Sequence, residues 1–353
     1  MTERIVSLLT GDSDMPTGGH IYNRHMSEEA ARHGVSLEMI PLDRSLDLAR
    51  VPGQILIDSL VAWSAAARLP GGDPRPMSAL VHQVPGGVEG PTILRRARRL
   101  ADLALYRKCD LIIAASTYLG DELKAAGLPK DRIRIVPPGR NIPDDESASP
   151  ACDLRRGRRL VILNVANWVP NKGILDLLDA VEPISPDEVV LHLVGSPDLN
   201  RRHTRAIRAR LKASTLRGKV VEHGSVPKSH LSRFYAGADV VALTSFEEGY
   251  GTVIGEALAA GVPVVAWNSG NAPNLFTDGE AGFLLPEGDV NGVTNAIQRL
   301  ARDEDLLSAV SSGACRRGAD LPTWHQSGSL FFAALKEVDN RPHGLIAGRC
   351  SAL

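Results

Sequence analysis

The feature that most restricts the fold of this 353-residue chain is a repeated alternation of short apolar segments with longer segments of helical spacing. The apolar segments have strand length and few polar residues, which is typical of strands buried on both faces of a parallel sheet. The first series has predicted strands at 5–9, 37–40, 54–57, 79–82, 111–114 and 133–136, and predicted helices at 22–33, 93–106 and 119–126. Such alternation indicates an α/β fold with helices on both faces of the sheet.

The alternation stops near the middle of the chain and then restarts. Residues 143–159 combine an acidic run with a cluster of arginines and show no apolar period, so we predict a linker there. The second series has predicted strands at 160–165, 189–194, 219–223, 240–244 and 262–266, and predicted helices at 174–181, 204–213, 229–235, 254–260 and 290–301. Length and pattern together predict two doubly wound, Rossmann-like domains, at 1–145 and 155–324.

Composition argues against several classes of protein. The chain is 43% hydrophobic and 23% charged, with a net charge of −1, so it has no overall attraction to nucleic acid. Cys109, Cys152, Cys315 and Cys350 form no C-x-x-C pair and flank no histidine at metal-ligand spacing, which predicts reduced thiols and no metal site. The first apolar run is too short for a signal peptide, and no segment reaches about 18–20 apolar residues. We therefore expect a cytoplasmic protein without a membrane span.

The most informative segment places Glu248 and Glu256 on either side of a glycine-rich turn. Glu248 is predicted on the loop after strand 240–244, at the sheet edge where open α/β folds bind ligands. Gly249 and Gly251 would let the backbone approach a ligand closely, and the following helix start would attract a phosphate. Taken alone, Glu256 is equally consistent with a carboxylate that only stabilises the start of a helix.

This segment resembles the donor-binding signature of retaining family-4 glycosyltransferases, which have the GT-B fold. The signature has a glutamate, a Gly-aromatic-Gly turn and a second glutamate that leads an Ala-rich helix. The resemblance covers nearly the whole chain and implies two Rossmann-like domains that face a cleft. It implies that Glu248 contacts the donor sugar or the reacting centre, and that Glu256 accepts hydrogen bonds from the ribose hydroxyls. It assigns the donor-binding turn to Gly249, Tyr250, Gly251 and Thr252, while Glu247 is predicted to be solvated.

The resemblance also places Lys172 near the departing pyrophosphate, whose charge GT-B enzymes generally stabilise with basic side chains and helix N-termini rather than with a metal. Without the resemblance, Lys172 would be interpreted as a solvated residue at a helix start. The family usually carries an arginine five residues earlier. This chain has Asn167 there, which lacks the charge and the fork of a guanidinium group. Asn167 is retained as a donor-binding candidate, and Arg140 and His20 are candidates by position for a compensating basic group.

Three further residues of the first predicted domain and one of the second match family positions. Gly18 and Gly19 lie where the family has a glycine pair near the phosphates and the acceptor, although a tight β-to-α turn explains them as well. His82 matches a histidine that faces the donor sugar, whereas a lone histidine at a strand end is more often structural. Gly195 matches a glycine on the nucleotide side, and a plain turn is the alternative.

The ends of the domains follow the family less closely. The Pro-Gly turn at 137–139 matches the family's end of the first domain, but Asn141 replaces the usual acidic residue. Trp324 stands where family members send a helix, here 325–340, back onto the first domain. The tail at 340–353 is predicted to be loose. Arg95, Arg96, Arg98 and Arg99 form a basic cluster on a predicted amphipathic helix, which is typical of a solvated face but can also contact anionic lipid or a phosphorylated acceptor.

The sequence therefore predicts a metal-independent, retaining glycosyltransferase without a cofactor. Its donor would be a nucleotide diphosphate sugar, UDP- or GDP-linked, and its acceptor an unidentified small molecule, saccharide or lipid-linked compound. Donor contacts are expected from the second domain and acceptor contacts from the first, where loops 69–76 and 84–91 would set specificity. Asn167 and Asn141 leave open a nucleotide-sugar-binding protein that has lost transfer, and the fold also allows an epimerase or a phosphorylase.

Overall fold

The computed structural model describes residues 4–11, 17–69, 75–140 and 154–339. The chain divides into two compact units, one formed by Met1–Gly139 with Pro322–Leu353 and the other by Arg140–Leu321. Several residues of the sequence predictions lie outside the described residues, namely Asn141, Cys152, Cys350, most of the 143–159 linker, most of the 69–76 loop and the tail from 340 onward.

The first unit is built on a six-stranded sheet whose strand pairs are all parallel. Its strands are β1 (Arg4–Thr10), β2 (Val35–Pro41), β3 (Gln54–Asp58), β4 (Met77–Val81), β5 (Leu111–Ala114) and β6 (Ile133–Ile135). The strand order is β2-β1-β3-β4-β5-β6, so the direction of winding reverses between β1 and β3. A reversal of this kind opens a crevice at the carboxyl ends of the strands, where α/β proteins bind ligands.

Helices cover both faces of this sheet. They are α1 (Gly18–Ala30), α2 (Ala62–Ala66), α3 (Thr92–Tyr106), α4 (Thr117–Ala125) and the C-terminal α12 (Trp324–Asp339). Helix α12 belongs to this unit because Phe331, Phe332 and Leu335 are buried in the same core as Val6 and Tyr22. Among the described residues, no helix is long and apolar enough to cross a membrane.

The second unit repeats the architecture. Its strands are β7 (Leu160–Val165), β8 (Val189–Val194), β9 (Val220–Gly224), β10 (Val240–Leu243), β11 (Val264–Trp267) and β12 (Gly282–Leu285). Its helices are α5 (Ile174–Val181), α6 (Arg201–Leu211), α7 (Lys228–Gly237), α8 (Thr252–Ala259), α9 (Ala272–Leu275), α10 (Val290–Arg302) and α11 (Glu304–Asp320). The order β12-β11-β10-β7-β8-β9 puts the reversal of winding between β7 and β10.

The predicted pair of Rossmann-like parallel sheets is confirmed. The apolar runs in β5, β7 and β8 form strands because each is buried on both faces, as a central parallel strand must be. The sequence prediction omitted α2, α9, α11 and β12 as elements. Helix α11 has weak apolar periodicity and contains Gly313 and Gly318, so its sequence lacks a clear helical signal.

Candidate active site

The carboxyl edge of the second sheet carries an ion pair at its point of reversal. Lys172 follows β7 and Glu248 follows β10, which are neighbours in the sheet. The Lys172 Nζ lies 2.6 Å from Glu248 Oε1, and the two side chains are 26% and 14% exposed. The pair is thus largely shielded from water but open on one side. It presents a positive charge and a carboxylate side by side to any ligand at this edge.

Backbone contacts between the two loops hold this pair in place. The Phe246 N–H donates to the Asn171 carbonyl at 2.9 Å, and the Asn171 side chain donates to the Glu247 carbonyl at 2.9 Å. Gly173 has φ +58°, and a Cβ there would overlap the carbonyl oxygen of Thr244. The expectation that Glu247 is solvated is wrong, because its side chain is half-buried with Oε1 shielded from water.

The glycine-rich turn after Glu248 leads directly into α8. Gly251 is the N-cap residue with φ +89°, and Thr252 is the first helical residue. Asn271, which the sequence predictions did not single out, fixes the turn: its backbone N–H donates to the Glu248 carbonyl and its side chain to the Tyr250 carbonyl, each at 2.8 Å. The first N–H groups of α8 have no partner within the helix, which favours an anion at this end.

Glu256 is the fifth residue of α8, because the helix begins two residues before the predicted start. A carboxylate beyond the first turn gains little from the helix dipole. The alternative that Glu256 only stabilises the start of the helix is therefore not supported. The Tyr235 hydroxyl on α7 donates to Glu256 Oε2 at 2.9 Å. Burial, and secondarily Glu256, raises the pKa of Tyr235 well above its usual value, so the hydroxyl keeps its proton. The sequence predictions missed Tyr235, since no local pattern marks it.

Asn167 and Gly195 lie together on the loops that follow β7 and β8. The Asn167 side-chain oxygen accepts a hydrogen bond from the Ser196 N–H at 3.1 Å, and the Trp168 N–H donates to the Ser196 carbonyl at 2.9 Å. Asn167 therefore ties the two loops to each other. An arginine at this position could not make the same contact, because a guanidinium group has no acceptor atom.

In the first unit, the structure brings Gly19 and His82 together at the carboxyl edge of the sheet. Helix α1 starts at Gly18, and its N-cap Thr17 contacts His20. A Cβ on Gly19 would lie 3.0 Å from His82 Cδ2, so the glycine lies directly against the imidazole ring. The Nε2 atom of His20 is buried and has no hydrogen-bond partner among the described residues.

His82 lies in a buried polar cluster that the sequence predictions did not include. Its Nε2 is 3.0 Å from Asn23 Oδ1, and Asn23 Nδ2 is 2.6 Å from Asp58 Oδ2. Asn23 and Asp58 are 1% and 0% exposed, and the His82 side chain is 8% exposed. Burial lowers the pKa of His82 although Asp58 opposes that effect. The sequence does contain one signal for Asp58, because this charged residue ends the otherwise apolar strand β3.

A cavity of about 210 Å³ adjoins this cluster. Its lining includes Ser59, Trp63, Gln83, Arg98 and Asp102, together with the 86–89 segment of the loop predicted to set specificity. Burial raises the pKa of Asp102 to about 6. The cavity thus combines an aromatic face, an arginine and a carboxyl group whose pKa is raised to about 6.

Arg140, a candidate for the compensating basic group, does not join the Lys172–Glu248 pair. Arg140 donates to the Gly318 carbonyl at 2.7 Å and lies beside Ala259 and Ala260, at the C-terminal end of α8. The ion pair lies toward the opposite end of this helix, which is about 12 Å long. The arginine cluster is on α3 of the first unit, where Arg95 donates to the Gly87 carbonyl and Arg98 stacks on the Trp63 ring at 5.4 Å.

Two α/β units, each with polar groups at the carboxyl edge of a parallel sheet, have the architecture of Rossmann-like proteins, which bind nucleotides and their derivatives at that edge. Residues 159–303 match the family model described as "Glycosyl transferases group 1" and residues 54–142 match "Glycosyltransferase Family 4". The chain therefore belongs to glycosyltransferase family 4, with the GT-B fold.

Named relatives and a solved structure agree with this assignment. The chain is 28% identical over 241 residues to a D-inositol 3-phosphate glycosyltransferase from Xylanimonas cellulosilytica, covering 65% of this chain and 57% of that protein. It is 27% identical over 334 residues to a GDP-mannose-dependent α-(1-6)-phosphatidylinositol monomannoside mannosyltransferase from Mycolicibacterium smegmatis, covering 86% and 84%. Anabaena HepE in complex with UDP-glucose superposes with a TM-score of 0.74 at 18% identity, covering 96% and 100%, which shows a shared fold.

Proposed function

We propose that the protein is a retaining glycosyltransferase that moves a hexosyl group from a UDP- or GDP-linked sugar to a small-molecule, saccharide or lipid-linked acceptor. The observation that carries this proposal is the Lys172–Glu248 pair at the point of reversal of the second sheet, next to the N-terminus of α8. The names of the relatives support a sugar-transfer reaction, and the mannosyltransferase among them is GDP-mannose-dependent. The HepE complex supports UDP-glucose as a second donor to test.

The proposed mechanism assigns each part of this edge to one task. Lys172 and the first N–H groups of α8 bind the diphosphate and stabilise the negative charge that builds on it as the bond to the sugar breaks. Glu248 contacts the sugar, and Glu256, held by Tyr235, accepts hydrogen bonds from the ribose hydroxyls. Asn167 and Gly195 shape the nucleotide side. This set supplies positive charge without a metal or another cofactor, so the proposal includes neither.

The configuration at the anomeric carbon is retained because the acceptor attacks that carbon on the same face from which the diphosphate departs. The acceptor oxygen forms a bond to the anomeric carbon as the bond from that carbon to the diphosphate oxygen breaks. The proton of the acceptor hydroxyl passes to the departing diphosphate. In the first unit, Gly18, Gly19 and His82 are assigned to the donor, and the cavity lined by Trp63 and Asp102 is assigned to the acceptor.

The test is a comparison of Lys172→Met with wild type and with Lys212→Met, which removes an exposed lysine of the same unit. Thermal shifts with UDP, GDP, ADP and TDP would identify the nucleotide, because a ligand of the folded state raises Tm. Turnover of UDP-glucose and GDP-mannose would then be measured with EDTA and with magnesium. We expect Lys172→Met to lower kcat/KM by about 100-fold or more, as for loss of a charge-stabilising donor.

The outcomes separate the alternatives. Lys212→Met should match wild type. A nucleotide that stabilises the protein while no sugar is hydrolysed or transferred would favour a binding protein without transfer activity. Absence of any nucleotide shift and of any turnover would overturn the proposal. Turnover that disappears with EDTA and returns with magnesium would overturn its metal-independent form.

We also propose that α3 contacts anionic lipid at the inner face of the cytoplasmic membrane. Ile93 and Leu100 are 77% and 71% exposed on this helix, next to exposed Arg95 and Arg96. Apolar side chains flanked by arginines are the pattern of a helix that lies in a membrane interface. We expect the double variant Ile93→Ser/Leu100→Ser to reduce sedimentation with phosphatidylglycerol vesicles.

The matched control is Leu330→Ser, which removes an exposed leucine from α12. This variant should sediment like wild type. Equal sedimentation of wild type with phosphatidylglycerol and with phosphatidylcholine vesicles, or no sedimentation with either, would contradict the lipid contact. The glycosyltransferase proposal does not depend on that result.

A further inference from the structure

We propose that Asn23 and Asp58 are positioning residues that hold His82 in the tautomer with its proton on Nε2, so that Nδ1 acts only as a hydrogen-bond acceptor for a ligand hydroxyl. The geometry that carries this inference is the chain of contacts from Asp58 through Asn23 to His82, at the carboxyl edge of the first sheet. The proposed roles of Asn23 and Asp58 lie outside the donor contacts assigned above.

The surroundings of Asp58 fix its role as an acceptor. Its Oδ1 accepts the Leu60 N–H at 2.8 Å and the Ser59 hydroxyl at 3.4 Å. Its Oδ2 accepts the Asn23 amide at 2.6 Å and the Thr10 hydroxyl at 3.5 Å. The two oxygens of a carboxyl group have about four lone-pair sites between them, and the donors around Asp58 occupy these sites. The group facing Asp58 Oδ2 from Asn23 must therefore be the amide nitrogen.

The orientation of Asn23 follows from this contact. Its Nδ2 points to Asp58 and to the Thr10 hydroxyl, which is 3.5 Å away, so both amide hydrogens have acceptors on that side. Its Oδ1 then faces His82 Nε2 at 3.0 Å. Rotation of the amide by half a turn would set its oxygen against a carboxylate oxygen, which repels it. Because an amide oxygen only accepts, His82 Nε2 must carry the proton.

The other ring nitrogen of His82, Nδ1, is then left as a hydrogen-bond acceptor. Burial lowers the pKa of His82, so the ring is neutral near pH 7.5 and carries a single proton. With that proton on Nε2, Nδ1 has a lone pair. The ring cannot easily turn its Nε2 away from Asn23, since it lies edge-on to Tyr22 at a centroid distance of 5.0 Å and against Gly19. The 8% of the side chain that is exposed is what a ligand can reach.

The test reads the tautomer directly and needs no substrate. The full chain is prepared with ¹⁵N-labelled histidine, and two-bond ¹H–¹⁵N correlations are recorded at pH 7.5, with the His82 signals identified by their loss in His82→Gln. We expect the pattern of the Nε2–H tautomer in wild type. An Nδ1–H pattern, a mixture or a charged ring in wild type would overturn the proposal.

Two variants test the chain of contacts. In Asp58→Asn the Leu60 N–H still needs the side-chain oxygen, so the new NH₂ group faces Asn23, the Asn23 amide turns over, and His82 switches to the Nδ1–H tautomer. Asn23→Leu removes the amide oxygen that accepts from His82 Nε2, and we expect a mixture of the two neutral tautomers of His82. The control is Ser27→Ala on α1, the helix that carries Asn23; it loses a 3.2 Å hydrogen bond to the Leu37 carbonyl of β2 and should keep the wild-type pattern. An Nε2–H pattern that persists in Asp58→Asn, or in Asn23→Leu, would overturn coupling through Asn23.

The effect on turnover rests on the function proposed above. With UDP-glucose or GDP-mannose, whichever wild type turns over, Asp58→Asn should lower kcat at least about tenfold and change KM by less than about threefold, as outer partners of a reacting group do. Ser27→Ala should change neither. If wild type turns over neither sugar, the function proposal fails, while the ¹⁵N spectra still decide the tautomer.

Discussion

At the scale of single residues, the carboxyl edge of the second sheet depends on side chains that hold other side chains. Lys172 and Glu248 fix each other, Asn271 fixes the turn through two carbonyls, and Tyr235 fixes Glu256. Each of these contacts joins segments that are far apart in sequence. The contacts therefore depend on the order of the strands in the sheet and not on a local sequence pattern. The motif could predict Glu248 and Glu256 as candidates, but it could not predict Tyr235, because the α7 sequence carries no sign of which residue lies beneath α8.

The Tyr235–Glu256 contact gives a prediction at this scale. Tyr235→Phe removes the hydroxyl that donates to Glu256, and we expect the free energy of unfolding to fall by about 1 kcal/mol, the usual net value of such a bond, or more where the carboxylate stays buried. Urea unfolding measures this change. The control is Tyr106→Phe, because the Tyr106 hydroxyl is buried with no hydrogen-bond partner among the described residues. A loss of stability in Tyr106→Phe as large as in Tyr235→Phe would contradict the prediction.

At the scale of elements, the central strands were predictable and the packing of α11 was not. A buried parallel strand leaves a continuous apolar run in the sequence, and β5, β7 and β8 begin and end where that run does. Helix α11 instead contains glycines, which disfavour a helix in isolation. Its Gly313 and Gly318 lie against the carbonyl oxygens of Glu280 and Leu258, so the glycines permit close packing that no local pattern reveals.

Gly313 therefore reverses the usual effect of a glycine-to-alanine change in a helix. Alanine normally stabilises a helix interior by about 0.5–1 kcal/mol. At Gly313 the new methyl group would overlap the Glu280 carbonyl, so we expect Gly313→Ala to lower the free energy of unfolding by about 2–4 kcal/mol. Gly255→Ala in α8 is the control, since its nearest neighbour would lie at 3.7 Å. Urea titrations followed by circular dichroism would refute the expectation if both variants were equally stable.

At the scale of the whole molecule, two units with separate cores share a doubly wound parallel architecture with different strand orders, and each places its polar groups at its own point of reversal. Alternating segments were enough to predict this plan. They were not enough to predict the polar groups buried inside it, because a single polar residue barely changes an apolar run. His192 in β8 is such a case: it is 1% exposed, and the sequence analysis assigned it no role.

The histidine pair formed by buried His192 and half-buried His223 makes the stability of the molecule depend on pH. His192 Nε2 donates to the Leu154 carbonyl at 2.8 Å, and its Nδ1 is 2.8 Å from His223 Nε2, which donates to it. Burial, with a smaller effect of His192, lowers the pKa of His223 to about 4, whereas an unfolded histidine titrates near 6.5. Between these values the unfolded chain binds the proton and the folded protein does not. The free energy of unfolding should therefore fall as pH drops from about 6.5 to 4.

His223→Gln isolates this contribution, because its amide can still donate to His192 Nδ1 but cannot titrate. One proton taken up only on unfolding changes the free energy of unfolding by about 1.4 kcal/mol per pH unit at most. We expect urea unfolding at pH 7.5, 6.0 and 5.0 to show a shallower decline in the variant than in wild type. The other buried histidines remain in both proteins and cancel in the comparison. Parallel curves would mean that His223 titrates alike in the folded and unfolded chain, and that the pair with His192 does not keep it neutral.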